Sequence, residues 1–335
     1  MSKVVCFGEL MVRLTAPDRE LLVQARGLDL NFGGAEANVA IGLANLGHRA
    51  AMITRFPDNG LGEAAIQHLR RYGVDVTGVA RTPGRMGLYF IEQGAGIRAS
   101  SVLYDREDSS FALAGPADFD WDQLLEDADI LHVSGVTPAL GQRSADAVIA
   151  AADAARAKNV RVSFDGNYRS QLWARWDGDP RAILTEVVRR ADIMFGNHRD
   201  ISLLLDHKFS GEGPERRREA AMAVFDAFPN LQTLASTARH IEDSGAHRIA
   251  ARIDTRESAV QTDEVALADI VDRIGAGDAF AAGVLHGLFS QKDLETTARY
   301  GLALTCLKHM LPGDVSLFGQ ADIDAFLSGE RDVRR

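Results

Sequence analysis

Cysteine is scarce: Cys6 and Cys306 are the only two in 335 residues. Two cannot make a disulfide framework, and they lack the spacing of a zinc site, so a reducing compartment fits best. Long apolar runs are missing too. None reaches the roughly 18 residues that a membrane helix needs, and the chain enters the strand-like Val4-Val5-Cys6-Phe7 almost at once. The reading expects neither a secretory leader nor a membrane span, hence a cytoplasmic protein. Basic residues are in deficit, with 37 Lys and Arg against 47 Asp and Glu, a formal net charge of -10 and a pI near 5.4. That argues against nonspecific nucleic-acid or membrane-surface binding, and any anionic ligand must be met by local positive groups. The nine histidines show no His-x-x-x-His pair, which removes another common metal signature.

What remains is 46% hydrophobic and 25% charged, and it alternates. Val4–Phe7, Ala50–Ile53, Ile130–Val133, Val160–Phe164, Ile193–Phe195 and Thr233–Ala235 read as buried parallel strands. Helical periodicity fills the gaps at Ala37–Leu46, Leu61–Tyr72, Gln142–Lys158, Arg181–Arg190 and Arg216–Phe228. Gly47 and Gly73 follow two of these helices, where left-handed caps are expected. The expected fold is α/β, a doubly wound and mainly parallel sheet flanked by helices. The whole chain, 1–335, reads as one domain. Residues 13–33 and 85–112 break the alternation with short strand-like runs, and are expected to form a small β-rich lid over the carboxyl ends of the strands. The charged tail from Gly329 to Arg335 is expected to fray.

One segment carries most of the chemistry: Asp272-Arg-Ile-Gly275-Ala276-Gly277-Asp278-Ala-Phe280. Two glycines around one small residue let the backbone turn tightly, and a helix follows. Its N-terminal N–H groups suit an anion. A carboxylate in such a place makes sense as a base that takes a proton from a hydroxyl while the amides hold a transferring phosphoryl group. Taken alone, the segment also fits a helix with a glycine-rich entry and an acidic first turn. Near the start, Asn31-Phe-Gly33-Gly34-Ala35-Glu36-Ala37-Asn38 precedes the first helix. It offers close backbone approach and an amide for sugar hydroxyls, or simply a helix cap.

Together the two segments resemble the paired signatures of the ribokinase-like (PfkB) carbohydrate kinases, and their order and separation match over nearly the whole chain. The resemblance implies that Asp278 is the catalytic base and that the amides of Gly275, Ala276, Gly277 and Asp278 form the anion hole. It places the sugar between the Gly33-Gly34 turn, with Asn38, and the lid. Furanose kinases of this family carry an Asp late on the first strand, where this chain has Arg13. Gly33–Ala40, Gly87–Tyr89, Ser134–Pro138, Asp165–Trp173 and Lys308–Asp314 are further similar to the 2-keto-3-deoxygluconate kinases of the family. By that resemblance Gly34, Tyr89, Tyr104, Arg106 and Arg169 contact the substrate. Arginine forks match carboxylate geometry, and with the resemblance the expected substrate is the sugar acid 2-keto-3-deoxygluconate, held by Arg13, Arg106 and Arg169 and phosphorylated at its terminal hydroxyl with ATP and Mg²⁺. A neutral ketose such as fructose, another sugar acid, or a decayed sugar-binding homologue are the alternatives.

Two places depart from the family pattern. Gly196-Asn197-His198-Arg199-Asp200 stands where Asn-x-x-Glu is usual, leaving Asp200 as the expected Mg²⁺ residue beside Asn197. Ser236-Thr237-Ala-Arg239 replaces a glycine-rich nucleotide segment, with Thr237 and Arg239 as the phosphate contacts. A lid with unpaired strand edges also predicts a homodimer or higher assembly.

Overall fold

Val4, Val5, Cys6 and Phe7 have no solvent exposure. A strand apolar on both faces belongs in the middle of a sheet, and there it lies. The computed structural model describes residues 2–330, so most of the expected fraying tail (331–335) lies outside the described residues. In chain order the strands are β1 (Lys3–Phe7), β2 (Met11–Thr15), β3 (Asp29–Gly33), β4 (Arg49–Pro57), β5 (Val79–Thr82), β6 (Leu88–Glu92), β7 (Ser101–Asp105), β8 (Ile130–Ser134), β9 (Arg161–Asp165), β10 (Ile193–Phe195), β11 (Thr233–Ile241), β12 (His247–Asp254), β13 (Ala259–Gln261) and β14 (Val265–Leu267). The helices are α1 (Ala35–Asn45), α2 (Gly60–Arg71), α3 (Trp121–Leu124), α4 (Gln142–Ala157), α5 (Ser170–Trp173), α6 (Pro180–Val188), α7 (His198–Leu205), α8 (Gly213–Ala227), α9 (Ala276–Phe289), α10 (Leu294–Lys308) and α11 (Gln320–Ser328).

The large sheet runs β13-β12-β11-β10-β9-β8-β1-β4-β5, with β14 also paired to β12. From β11 to β5 all neighbours are parallel. Helices cover both faces over two apolar clusters, one around Val4, Cys6 and α9, the other around Val5, Phe7 and α4. Gly47 and Gly73 sit at φ +85° and +76° and stop α1 and α2.

The structure adds an antiparallel wing, β12 to β14, which the apolar-run reading passes over. His247-Arg-Ile-Ala-Ala-Arg-Ile-Asp254 is punctuated by charge, and no continuous run flags it. β11 also extends to Ile241, six residues past the buried core of the strand, in order to pair with β12.

Residues 11–33 and 88–105 supply a separate four-stranded sheet, β3-β2-β6-β7. Its register sorts side chains by face. Arg13, Tyr89 and Tyr104 are aligned across β2, β6 and β7. The adjacent row is Leu30, Leu14, Phe90 and Leu103, in the same order across all four strands. In that second row the edge residues Leu30 and Leu103 are 51% and 56% exposed, while Leu14 and Phe90 between them are half-buried, so the row is open at its edges.

Candidate active site

The carboxyl ends of β1, β9, β10 and β11 deliver Glu9, Asp165, the Gly196–Asp200 segment and Ser236–Arg239 to one edge of the large sheet. That is where ligands bind in open α/β sheets. A cleft of about 1110 Å³ occupies this edge, and Tyr89, Tyr104 and Arg106 of the small-sheet region face into the same space.

At its floor, Gly275 takes φ +80° and caps α9. A Cβ there would overlap the Asp314 carbonyl, so only glycine permits the loop to lie so close to the 311–314 segment. The first N–H groups of a helix have no intrahelical acceptor. Ala276 N–H reaches the Arg273 carbonyl at 3.3 Å, which leaves those of Gly277 and Asp278 as the free donors of this turn. Of the four amides expected to form the anion hole, that of Ala276 is therefore partly committed.

Asp278 lies among them. Asn38 Nδ2 donates to its Oδ2 at 2.7 Å, so the amide expected to meet a sugar hydroxyl also orients this carboxylate. Burial pushes the Asp278 carboxyl up to about 7, against the pull of Asn38, with Asp314 and Glu36 adding to the rise. Asp165 rises to about 8, first through burial and then through the charges of Asp278 and Asp200. Asp200 is raised by burial too, opposed by the Asn197 N–H. Burial thus raises all three carboxyls, and the charges of Asp278 and Asp200 add to the rise at Asp165. Sequence alone gives Asp165 a looser part, orienting Arg169 or approaching the phosphates through water.

Asn197 and Asp200 also have a plain structural task. Asn197 Oδ1 accepts from Arg199 N–H at 2.9 Å, and Asp200 Oδ2 accepts from Asn197 N–H at 2.8 Å, a capping box for α7. Asp200 Oδ1 instead faces Gly166 at the cleft. No cluster of three or more His, Cys, Asp or Glu able to hold a metal exists among the described residues. Mg²⁺ is usually held by one or two carboxylates plus substrate phosphates and waters.

The arginines divide sharply. Arg13 is 1% exposed and does not reach the cleft. Its guanidinium is spent on Asp272 and Asp314, at 2.5 Å each, and on Thr15 at 2.8 Å. The expectation that Arg13 contacts substrate is corrected on that ground: the side chain is buried in ion pairs and does not line the cleft. Tyr89, beside it, donates its hydroxyl to Asp314 Oδ2. Arg106 borders the cleft and packs against the Tyr104 ring, but its Nε and Nη2 are held by Glu9 Oε2 at 2.8 and 2.6 Å. Glu9, missed in the sequence, is fixed in turn by Ser109 Oγ at 2.5 Å. Arg169 is exposed at the cleft, where its Nη1 donates to the Tyr168 carbonyl and its charge acts on Asp165, Asp200 and Asp278. Arg239 lines the same cleft with Thr237 and Arg273. Burial, then the charge of Arg273, pushes its proton affinity down. Neither Arg239 nor Arg273 has a carboxylate partner among the described residues. Sequence alone gives Arg273 no role. Gly33 and Gly34 also line the cleft, and a Cβ on either would strike Asp314 and Tyr89 or the Glu9 carbonyl.

The site therefore gathers the Asp278 carboxyl, helix N–H groups without an intrahelical acceptor, the Asp165 and Asp200 carboxyls, and Arg169, Arg239 and Arg273 in one cleft. Comparison with known proteins agrees with that chemistry. The model of the pfkB family carbohydrate kinases matches residues 1–313. A 2-dehydro-3-deoxygalactonokinase of Haloferax volcanii is 32% identical over 98% of this chain and 97% of its own. A 2-dehydro-3-deoxygluconokinase of Bacillus subtilis is 26% identical over 99% of this chain and 97% of its own. The crystal structure of 2-dehydro-3-deoxygluconokinase from Thermotoga maritima superposes with a TM-score of 0.93 at 35% identity, covering 98% of this chain and 100% of that one. Two signatures some 240 residues apart in sequence, Asn38 and Asp278 meeting at hydrogen-bond distance, are thus shared in kind with a known group: this chain belongs to the pfkB family of carbohydrate kinases.

Proposed function

We propose that the protein transfers the γ-phosphoryl group of ATP to the terminal hydroxyl of 2-keto-3-deoxygluconate. The carrying observation is that one cleft is lined by Tyr89, Tyr104, Arg106 and Arg169, by Thr237, Arg239 and Arg273, and by Asp278. We assign the first group to a sugar acid and the second to a triphosphate. Asp278, oriented by Asn38, takes the hydroxyl proton as the oxygen attacks phosphorus. The Gly277 and Asp278 N–H groups meet charge that builds on the transferring phosphoryl oxygens. Arg239 and Arg273 neutralise the phosphates, and Arg169 holds the substrate carboxylate. Mg²⁺, when bound, neutralises phosphate charge, and Asp165 and Asp200 are the residues fitted to hold it. The intact arrangement around Asp278 supports an active kinase over a decayed homologue.

The names of the relatives support a 2-keto-3-deoxy acid, in the gluconate or galactonate configuration. One observation favours a second reading, a neutral ketose such as fructose: Glu9 already neutralises Arg106, and Arg13 is withdrawn. Product formation over a panel of both keto-acids, fructose and ribose tests this. Turnover confined to the acids supports the first reading, and a preference for fructose replaces it with the second.

The 11–33 and 88–105 sheet serves as the lid in this reading. Its exposed Leu30 and Leu103 support a homo-oligomer in which one lid covers another. Sedimentation of the parent and of Leu103→Lys reads this out, a shift toward monomer being expected. Among the described residues no helix is long and apolar enough to cross a membrane.

A further inference from the structure

Lys308 is the last residue of α10 and has no solvent exposure. Burying an ammonium is costly unless something holds it there, and methionine would fill similar space without that cost. No carboxylate takes its charge directly. Its Nζ donates to two backbone carbonyls, Asp272 at 3.2 Å and Leu311 at 3.1 Å. Those carbonyls belong to the two loops that build the floor of the site. The first runs into Gly275 and the anion hole. The second carries Asp314, whose backbone presses on Gly275 and whose carboxylate receives Arg13 and Tyr89.

Other groups of the same helix end act on the same loops. The His309 carbonyl accepts from Val271 and Asp272 N–H, at 2.9 and 3.2 Å. Thr305 Oγ1 donates to the Ala276 carbonyl at 2.7 Å. Gly313 N–H reaches Asp272 Oδ2 at 3.2 Å. Two carbonyl dipoles aimed at one point repel each other unless a cation sits between them, and Lys308 is that cation.

We propose that Lys308 is a positioning residue for phosphoryl transfer, a built-in monovalent cation that clamps loops 271–275 and 311–314 and so sets the Gly277 and Asp278 N–H groups in place. It rests on the kinase reading above. Displacement of those donors by about 1 Å would cost roughly a hundredfold in rate, with the sugar-binding surface unchanged.

The test is steady-state kinetics with tetramethylammonium as the sole monovalent cation, repeated with added K⁺ or methylammonium. The parent should be indifferent to both additions, because its cation is covalently supplied. Lys308→Met keeps the volume and loses the charge, and its kcat should fall roughly ten- to a hundredfold with sugar KM within a few-fold. Lys308→Ala should fall similarly and regain part of its kcat with methylammonium or K⁺, which a packing defect alone would not do. Strong activation of the parent by K⁺, a folded Lys308→Met with parental kcat, or a Lys308→Ala loss that neither cation relieves would each overturn the proposal. If neither variant folds by circular dichroism, the parent's response to K⁺ decides alone. A parent without turnover on any sugar would instead refute the kinase reading, and this proposal with it.

Discussion

Beneath the small sheet, Arg13, Arg106, Glu9, Asp272 and Asp314 answer one another at hydrogen-bond distance and are almost wholly buried. Around Asp278 the balance is reversed. Asp165, Asp200 and Asp278 crowd like charges together, Arg169 acts on them across the cleft without a direct ion pair, and Arg239 and Arg273 have no carboxylate ion pair among the described residues. Breaking a buried pair leaves an uncompensated charge, whereas an unpaired charge at a cleft has its interaction still to make. Paired charges therefore frame this protein, and in the proposed reading the others carry out its chemistry.

Substitution at the unpaired set should show the larger effect on rate. Asp278→Asn keeps the shape and hydrogen-bond reach but removes the base, and kcat should fall by roughly 10²–10⁴ with little change in melting temperature. A variant with near-parental kcat would return Asp278 to the role of an acidic first-turn residue. Arg13→Ala belongs to the frame and should do the opposite. Stranding Asp272 and Asp314 should destabilise the fold by about 3–5 kcal/mol, measured by urea unfolding. An Arg13→Ala variant as stable as the parent, but weaker on substrate alone, would move Arg13 from the frame to the site.

Asp200→Ala is a smaller perturbation. It should raise the Mg²⁺ concentration for half-maximal rate and leave sugar binding unchanged. Overlaid titrations would mean that the metal is organised without it. The gentlest probe is pH. Asp278 must be ionised to act, so kcat/KM should climb as pH rises through about 7. Stability follows the opposite sign. Asp165 and Asp278 have folded pKa values raised above the unfolded one, so their contribution is full below about 4 and is lost as pH rises through about 7 and 8. A cation on these carboxylates reverses that loss. The Mg²⁺-induced rise in melting temperature should grow from pH 6 to pH 8.5, and a rise independent of pH would place the metal elsewhere.

Much of this was legible in the chain because it is local. The parallel strands are continuous apolar runs. The turn at Gly275 is spelled by its neighbours, and the Asn197–Asp200 cap lies within one helical turn. Arg13 was misread because its partners Asp272 and Asp314 lie 259 and 301 residues away, and no local pattern reports an ion pair closed by tertiary packing. Glu9 escaped for the same reason, although its place at the carboxyl end of the first buried strand was a usable signal. The β12–β14 wing escaped because charged residues interrupt its apolar positions, where the reading sought unbroken runs. Arg273 sat in plain view inside the most informative segment, overshadowed by the glycines.

The division between framing and working charges is tested most directly at the arginines, by kcat/KM for 2-keto-3-deoxygluconate and for fructose in the parent, Arg169→Ala and Arg106→Ala. Arg169 is unpaired, so its loss should cost the acid roughly ten- to a hundredfold and fructose little, an exposed charge falling below the full value of a buried pair. Arg106 is already neutralised by Glu9, so its loss should lower stability more than it lowers preference for the acid. Equal losses on both substrates in Arg169→Ala, or a parent that prefers fructose, would contradict the account.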